Sequence, residues 1–470
     1  MKINQEIFRG YDIRGIVGKD LNSESIEQIV KAYTYFLNKQ GINKVVVGYD
    51  CRQSSPEFSK IAIKALADSG IEVVDIGMCL VQMMYASQYY FKAKGGIMIT
   101  ASHNPKEFNG MKLANDYSST LVEDQIEELK KYINEEKSVS GSGRGSVKKE
   151  NIVEKYSKDL ISRIKIAKKF KVVVDASNGT AGKFIPDLLR RVGCEVIEQN
   201  CQIDPDFPLG APDPTEEMVA KRLSERVLAE KADLGFSYDA DGDRMGIVDD
   251  QGNFIWNDIL VAVFSEDVLA QKPGSKIVYN VLCSKVVEET ILANGGKPIM
   301  WRTGHSFIKA KTKEEKAPFG GELSGHFYLD RFYGHDDGGY ASLRLLEYLS
   351  KKTEKPSEIF AKFAKYISSP EIKIGCSEDK KIAFIEKVKK QIRQDFPNEK
   401  INEVDGSRVD FKDAMMVARY SLNGPYLTFK FEAKTQQKYN ELKNYIYDLL
   451  KKAPEIDWSA GTNIETLKEK

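Results

Sequence analysis

Lys44-Val45-Val46-Val47-Gly48-Tyr49-Asp50, Lys171-Val172-Val173-Val174-Asp175 and Lys276-Ile277-Val278-Tyr279-Asn280 are one pattern written three times. Each is a short β-branched run followed by a loop and a helical stretch: Phe58 to Ser69, Lys183 to Arg191, Lys285 to Ala293. Each then reaches a glycine (Gly70, Gly193, Gly295) and a second apolar run. Strands alternating with helices of this length predict βαβ units on a largely parallel sheet, and the glycine marks the helix C-terminus. The recurrence predicts three related α/β domains with mixed, largely parallel sheets; one large sheet is the competing reading.

Past the third repeat the pattern changes. Val409-Asp410-Phe411, Ala414 to Ala418 and Tyr426 to Phe431 read as a meander, followed by a helix from Lys438 to Lys451. This predicts a smaller C-terminal α+β domain, with a polar, ragged tail from Ile456. Composition places the boundaries: the Gly/Ser-rich Ser138 to Ser146, the region of Trp256, and Ser368-Ser369-Pro370. The expected domains are therefore 1–150, 151–255, 256–368 and 369–470.

A chain of 470 residues suits about three domains of roughly 150 residues. With 41% hydrophobic and 30% charged residues it reads as an ordinary globular protein, and its 70 Lys+Arg against 69 Asp+Glu advertise neither nucleic acid nor an acidic membrane as partner. No apolar run approaches the length needed to span a bilayer, and the start lacks a signal-peptide stretch. Cys51, Cys79, Cys194, Cys201, Cys283 and Cys376 are scattered, without zinc-ligand spacing. Reduced thiols and a cytoplasmic location are expected.

The strongest chemical signal is Tyr238-Asp239-Ala240-Asp241-Gly242-Asp243-Arg244. Three carboxylates at alternate positions face one point if the backbone loops, which suits a hard divalent cation; a solvated acidic turn is the plain alternative. An EF-hand is disfavoured, because a strand follows. Arg244 is placed to contact a phosphate on that cation. Thr100-Ala101-Ser102-His103-Asn104-Pro105 leaves a buried strand pattern and presents Ser102 as a nucleophile or phosphoryl carrier, although a serine there is often only a turn residue. Gly320-Gly321-Glu322-Leu323-Ser324-Gly325-His326 packs hydrogen-bonding groups between glycines, as sugar hydroxyls require, or is a polar turn. His305 ends a repeat strand, and His335 reads as structural. Arg14 sits in Phe8-Arg9-Gly10-Tyr11-Asp12-Ile13-Arg14-Gly15, within reach of a phosphate; an Arg9–Asp12 pair is an equal reading of that stretch. Arg419-Tyr420-Ser421-Leu422-Asn423-Gly424-Pro425 is either an anion cradle or a hairpin loop.

In this order the motifs resemble the α-D-phosphohexomutases, most closely the phosphomannomutase/phosphoglucomutase branch, from Phe8 to about Leu450. The resemblance implies four domains around a central cleft. It implies Ser102 as phosphoryl carrier and Asp239, Asp241 and Asp243 with Ser102 as magnesium ligands, with Arg244 steadying the phosphate and Lys112 and Arg14 near the reacting groups. It further implies Glu322 and Ser324 on sugar hydroxyls, Lys285, His305 and His326 along the substrate path, and Arg419, Ser421 and Asn423 in a distal phosphate loop. That loop departs from the branch: Asn423 replaces a threonine and Leu422 a small or polar residue. The implied reaction exchanges hexose 1-phosphate and hexose 6-phosphate, of mannose and/or glucose, through a phosphoserine enzyme and hexose 1,6-bisphosphate as intermediate and activator. Either Lys112 or His326 is the expected general base. The last domain is expected to close over the intermediate. The expected partners are small sugar phosphates, without nucleic acid or membrane, for a monomer or weak homodimer. A phosphoglucosamine mutase, a metal-dependent sugar phosphatase and a non-catalytic sugar-phosphate binder are the competing functions.

Overall fold

The computed structural model describes residues 3–139 and 145–468; the centre of the expected Gly/Ser linker, 140–144, lies outside the described residues. The chain forms two compact units, Met1–Asn257 with Ser324–Ser357, and Asp258–Leu323 with Glu358–Lys470.

The first unit holds two sheets built on the first two repeats. Lys44–Tyr49 lies between two parallel neighbours, Glu72–Met78 and Gly95–Ile99. Gly95–Ile99 pairs antiparallel with Phe108–Asp116, which pairs antiparallel with Ile13–Ile16. The second sheet repeats the scheme. Lys171–Asp175 has Glu195–Gln199 and Leu234–Tyr238 as parallel neighbours, and Leu234–Tyr238 pairs antiparallel with Met245–Asp249. In the second unit, Lys276–Asn280 lies between Lys297–Trp301 and Phe319–Gly321, again parallel. The helices Ser55–Asp68, Ala181–Arg191 and Lys285–Ala293 link each first strand to its outer neighbour. Each is followed by the expected glycine in a left-handed conformation, with φ of 82°, 92° and 72° at Gly70, Gly193 and Gly295. Valine-rich strands such as Val45–Val47 and Val172–Val174 are fully buried, as covering on both faces demands.

The fourth sheet is the predicted meander: Ser407–Asp410, Ala414–Tyr420 and Tyr426–Ala433 pair antiparallel in sequence, backed by Gln436–Leu450. The tail corrects the expectation of a ragged end. Asp457–Thr462 pairs antiparallel with Ile372–Gly375, and Ile464 and Leu467 bury themselves in the core of this domain. Two anchoring side chains and one sheet edge suffice to order a segment that is otherwise polar.

All six cysteines are buried and unpaired. Burial pushes the Cys51 and Cys201 thiols up to about 12 and Cys194 to about 11. Among the described residues no helix is long and apolar enough to cross a membrane.

Candidate active site

In each repeat, the strand on the inner side of the first one runs directly into a motif: Gly95–Ile99 into Thr100-Ala101-Ser102, Leu234–Tyr238 into Asp239 to Arg244, Phe319–Gly321 into Glu322-Leu323-Ser324. These are carboxyl ends of parallel strands, where open α/β sheets gather ligands.

Ser102 is buried, with φ of 49°. That left-handed conformation costs a non-glycine residue on the order of 1–3 kcal/mol, so its surroundings must enforce it. Its amide donates to Thr100 Oγ1 at 2.8 Å. The guanidinium of Arg52 donates to the carbonyls of Ser102 and Asn104 at 2.6 Å each, Pro105 at 2.7 Å and Phe108 at 3.0 Å. The hydroxyl of Ser102 donates to Asp239 Oδ2 at 2.6 Å.

Asp239, Asp241 and Asp243 are fully buried. Gly242, with φ of 76°, folds the backbone so that its amide donates to Asp239 O at 3.2 Å. The turn brings one oxygen from each carboxylate to within 4.8 Å of the others. Lys112 reaches across from the strand Phe108–Asp116, its Nζ 2.9 Å from Asp241 and 2.6 Å from Asp243. Thr100 Oγ1 donates to Asp241 Oδ2 at 3.1 Å. Burial, reinforced by Asp241 and Asp243, drives the Asp239 carboxyl well above the usual range. Burial also works against charge on Asp241, but Lys112 overcomes it and holds that carboxyl low. Burial opposes charge on Lys112 likewise, and Asp241 and Asp243 outweigh it and raise the ammonium well above its ordinary value. One lysine cannot neutralise three buried carboxylates. Among the described residues Asp241 Oδ1 and Asp243 Oδ1 have no hydrogen-bond partner, which is acceptor capacity that fits a hard divalent cation.

Arg244 joins this cluster. Its amide donates to Asp239 Oδ1 at 3.1 Å, its Nε to His326 Nε2 at 3.1 Å, and its Nη1 lies 3.5 Å from Asp213 Oδ2. An arginine nitrogen only donates, so His326 Nε2 is the acceptor and its Nδ1 faces Asp336 at 3.0 Å. Arg14 pairs with Asp12 at 2.8 Å and donates to Asn104 Oδ1 at 2.5 Å and Ala101 O at 3.4 Å. Asp12 therefore pairs through its side chain with Arg14; Arg9 meets it by a backbone bond, Arg9 N to Asp12 O, at 2.8 Å. Ser324 is half-buried in the turn beside Gly325, whose carbonyl accepts from Met245 N at 3.1 Å. His335, read as structural, stacks on Tyr333 and packs edge-on against Phe332.

The remaining motif residues belong to the second unit. Glu322 Oε2 accepts from Gly304 N at 3.0 Å, just before His305 opens the helix His305–Glu314. Lys285 opens the helix Lys285–Ala293, its amide on Glu432 Oε1 at 2.7 Å and its Nζ 3.7 Å from Asp410. Arg419 Nε donates to Asp405 Oδ2 at 2.8 Å, and the same oxygen accepts from Thr303 N at 2.8 Å. Asp405 thus ties the distal loop to the backbone beside Glu322. Within the loop, Asn423 N donates to Ser421 Oγ at 3.1 Å, and the buried Lys381 donates to the carbonyls of Ser421 (2.6 Å) and Gly424 (3.1 Å).

Arg52, Asp213, Asp336, Lys381 and Asp405 escape a reading by motif, because each acts from a separate segment on a loop whose own residues carry the signal. Arg52 follows the first repeat strand in Asp50-Cys51-Arg52, but nothing local there marks it as a clasp of the serine loop.

Residues 5–140, 153–252 and 256–366 match the phosphoglucomutase/phosphomannomutase alpha/beta/alpha domains I, II and III. The chain is 40% identical over 446 residues to a phosphomannomutase/phosphoglucomutase of Pseudomonas aeruginosa, covering 95% of each chain. It is 35% identical to a phosphoglucomutase of Neisseria gonorrhoeae, over 97% of this chain and 99% of that one. Among solved structures, a phosphoglucomutase/phosphomannomutase family protein from Burkholderia thailandensis superposes with a TM-score of 0.89 at 33% identity, over 97% and 99% of the two chains.

Proposed function

The chain belongs to the phosphoglucomutase/phosphomannomutase family, and on that premise we propose that it interconverts hexose 1-phosphate and hexose 6-phosphate of mannose and glucose. Phospho-Ser102 gives its phosphoryl group to the free hydroxyl of the sugar, making a hexose 1,6-bisphosphate. The sugar turns over, and its other phosphate returns to Ser102. The observation that carries this reading is the Ser102 hydroxyl, 2.6 Å from Asp239 in a left-handed turn, beside three buried carboxylates.

Phosphoryl transfer asks the protein for position and for positive charge. Phosphoserine carries about −1.5 to −2 charges near neutral pH, and a second phosphate must approach it. Magnesium is the proposed cation; Asp239, Asp241, Asp243 and an oxygen of Ser102 would hold it, and it would neutralise phosphoryl charge as a Lewis acid. Lys112 keeps Asp241 and Asp243 in register and adds its own charge. Arg244, steered by His326 and Asp213, and Arg14, lying against Asn104, line the approach of the phosphates. Of the two candidates for the hydroxyl proton, Lys112 is held as an ammonium by Asp241 and Asp243, which favours His326 on Arg244. Glu322 and Ser324 are assigned the ring hydroxyls, with Lys285 and His305 along the path. Arg419, Ser421 and Asn423 are assigned the non-reacting phosphate. The amide of Asn423 takes the place of a hydroxyl there, and Lys381 supports the loop's carbonyls. Domains 1–150, 151–255, 256–368 and 369–470 then contribute the serine, metal, sugar and distal phosphate loops in turn. A reducing, cytoplasmic setting agrees with six buried free thiols.

The decisive experiment is a coupled assay with mannose and glucose 1-phosphates, with added bisphosphate, on the wild type and Ser102→Ala. Ser102→Ala is expected to lose at least about 10³-fold in turnover, since covalent relay has no substitute, while still binding substrate. Intact-mass measurement is expected to find one phosphoryl group on the wild type and none on the variant. Wild-type turnover retained in Ser102→Ala rejects the carrier; phosphate release without isomerisation points to a phosphatase.

A further inference from the structure

Arg52 takes no part in the charge balance described above, yet its guanidinium donates to four carbonyls of the serine loop. Only 1% of it is exposed. Its Nη1 donates to Pro105 O and Phe108 O, and its Nη2 to Ser102 O and Asn104 O. Its Nε lies 3.3 Å from Asp50 Oδ2, while Asp50 Oδ1 accepts from Arg52 N at 3.0 Å and Ser55 Oγ at 2.5 Å. The ring of Phe207 covers the guanidinium at 5.0 Å.

We propose that Arg52 is the positioning residue of the phosphoryl carrier: its guanidinium gathers four carbonyls of the 102–108 loop and so holds Ser102 in its reactive, left-handed presentation. The inference rests on the reading of Ser102 as carrier. Four carbonyl oxygens converge only on a cation with several donors in fixed directions. A guanidinium offers five in a plane, a lysine only three on one point. Across a trans peptide the C=O and N–H point oppositely, so drawing Ser102 O onto Arg52 turns the His103 amide away from it. Thr100 Oγ1 fixes the preceding peptide through Ser102 N. The serine is thus clamped from both sides, with its hydroxyl on Asp239 at 2.6 Å and 3.3 Å from His103 Nδ1. Because Asp50 pairs the guanidinium, Arg52 brings no net charge, and its effect falls on the geometry of transfer rather than on substrate affinity.

The test uses the full chain with Arg52→Lys, Arg52→Ala and Asp50→Asn, assayed for kcat and KM with bisphosphate present. Intact mass follows the rate at which Ser102 takes phosphoryl from glucose 1,6-bisphosphate. Folded Arg52→Lys is expected to lose about 10²-fold in kcat, the scale of a misplacement near 1 Å, with KM within about threefold. Its phosphoryl uptake is expected to slow in step. Ethylguanidinium is expected to restore about tenfold to Arg52→Ala, which lost bulk stability alone does not predict. A folded Arg52→Lys with kcat within about threefold of wild type, or a loss borne by KM alone, overturns the proposal. If neither Arg52 variant folds, Asp50→Asn decides: a kcat loss at constant KM supports the clamp, and unchanged kcat overturns it. A wild type without isomerisation but with phosphoryl uptake sinks the mutase reading while leaving Arg52 to be judged by uptake. A wild type without either sinks both.

Discussion

The loops after Gly95–Ile99 and Leu234–Tyr238 leave equivalent strands. Each strand runs parallel to its repeat's first strand and hands over to an antiparallel partner. The loops differ in how their braces are distributed. The aspartate loop is braced at many separate points: Gly242 N bonds to Asp239 O and Arg244 N to Asp239 Oδ1 within it, Val81 N, Thr180 N and Gln82 Nε2 donate to the carbonyls of Asp241, Ala240 and Gly242, and the N-terminus of the helix Gly338–Ser350 presses against it. There Gly338 N donates to Gly242 O at 3.2 Å, and a Cβ at 338 would lie 2.8 Å from the carbonyl oxygens of both Gly242 and Arg244, so only glycine fits. The serine loop takes its shape from a cation more than forty positions away in the chain, Arg52, at four carbonyls. Fixed charges are held by a turn tied down one carbonyl at a time from several segments. The serine proposed as carrier has its geometry imposed from behind by a single guanidinium.

Three substitutions press on this contrast. Asp241→Asn removes the carboxylate shared by Lys112 and Thr100, the hinge between the two loops. Turnover is expected to fall about 10³-fold, and added magnesium is expected to raise the melting temperature of the wild type but not of the variant. Turnover within tenfold would break the division of labour. Asp337 addresses the backing of the aspartate loop. It caps the helix through Tyr340 N at 2.8 Å and accepts from Tyr156 Oη at 2.6 Å, and burial pushes its carboxyl up to about 7. A carboxyl raised on folding binds more protons in the folded state. Its contribution is therefore fully present below the unfolded value near 4 and is lost as pH rises toward 7. Wild-type stability relative to Asp337→Asn is expected to decline by on the order of 2–4 kcal/mol between pH 4 and 7, read by urea unfolding at several pH values. A flat difference would show that this backing carries no proton. Thr100→Val probes the thinnest link, one hydroxyl that accepts from Ser102 N and donates to Asp241. It is expected to cost about tenfold in kcat, or about 1.4 kcal/mol, at unchanged fold; a larger loss than that of Asp241→Asn would reverse the ranking of the loops.

The repeats were legible because strands buried on both faces are written as unbroken β-branched runs, and the glycines at 70, 193 and 295 mark where each helix must turn back. The residues of the serine and aspartate loops were legible because their chemistry is dense in a few positions. What supports them was not. Arg52, Asp213 and Asp405 act across tens to hundreds of residues, and nothing local in Cys51-Arg52-Gln53 announces four carbonyls. Spacing offers Arg9 as the partner of Asp12 and leaves Arg14 to a phosphate; it cannot say that Arg14 is the one that turns onto Asp12. Asp457–Thr462 was missed for a different reason: an edge strand with one weakly apolar face carries little pattern, and its order comes from Ile372–Gly375 beside it.

The buried thiols have a practical meaning. Each stretch of the chain carries its own, at Cys51 and Cys79, at Cys194 and Cys201, at Cys283 and at Cys376, and each is shielded and held protonated by its burial. Alkylating reagents attack only thiolates that solvent can reach. Modification at any one site therefore times the momentary opening of the segment around it, and the chain carries a native set of clocks for the breathing of its separate parts.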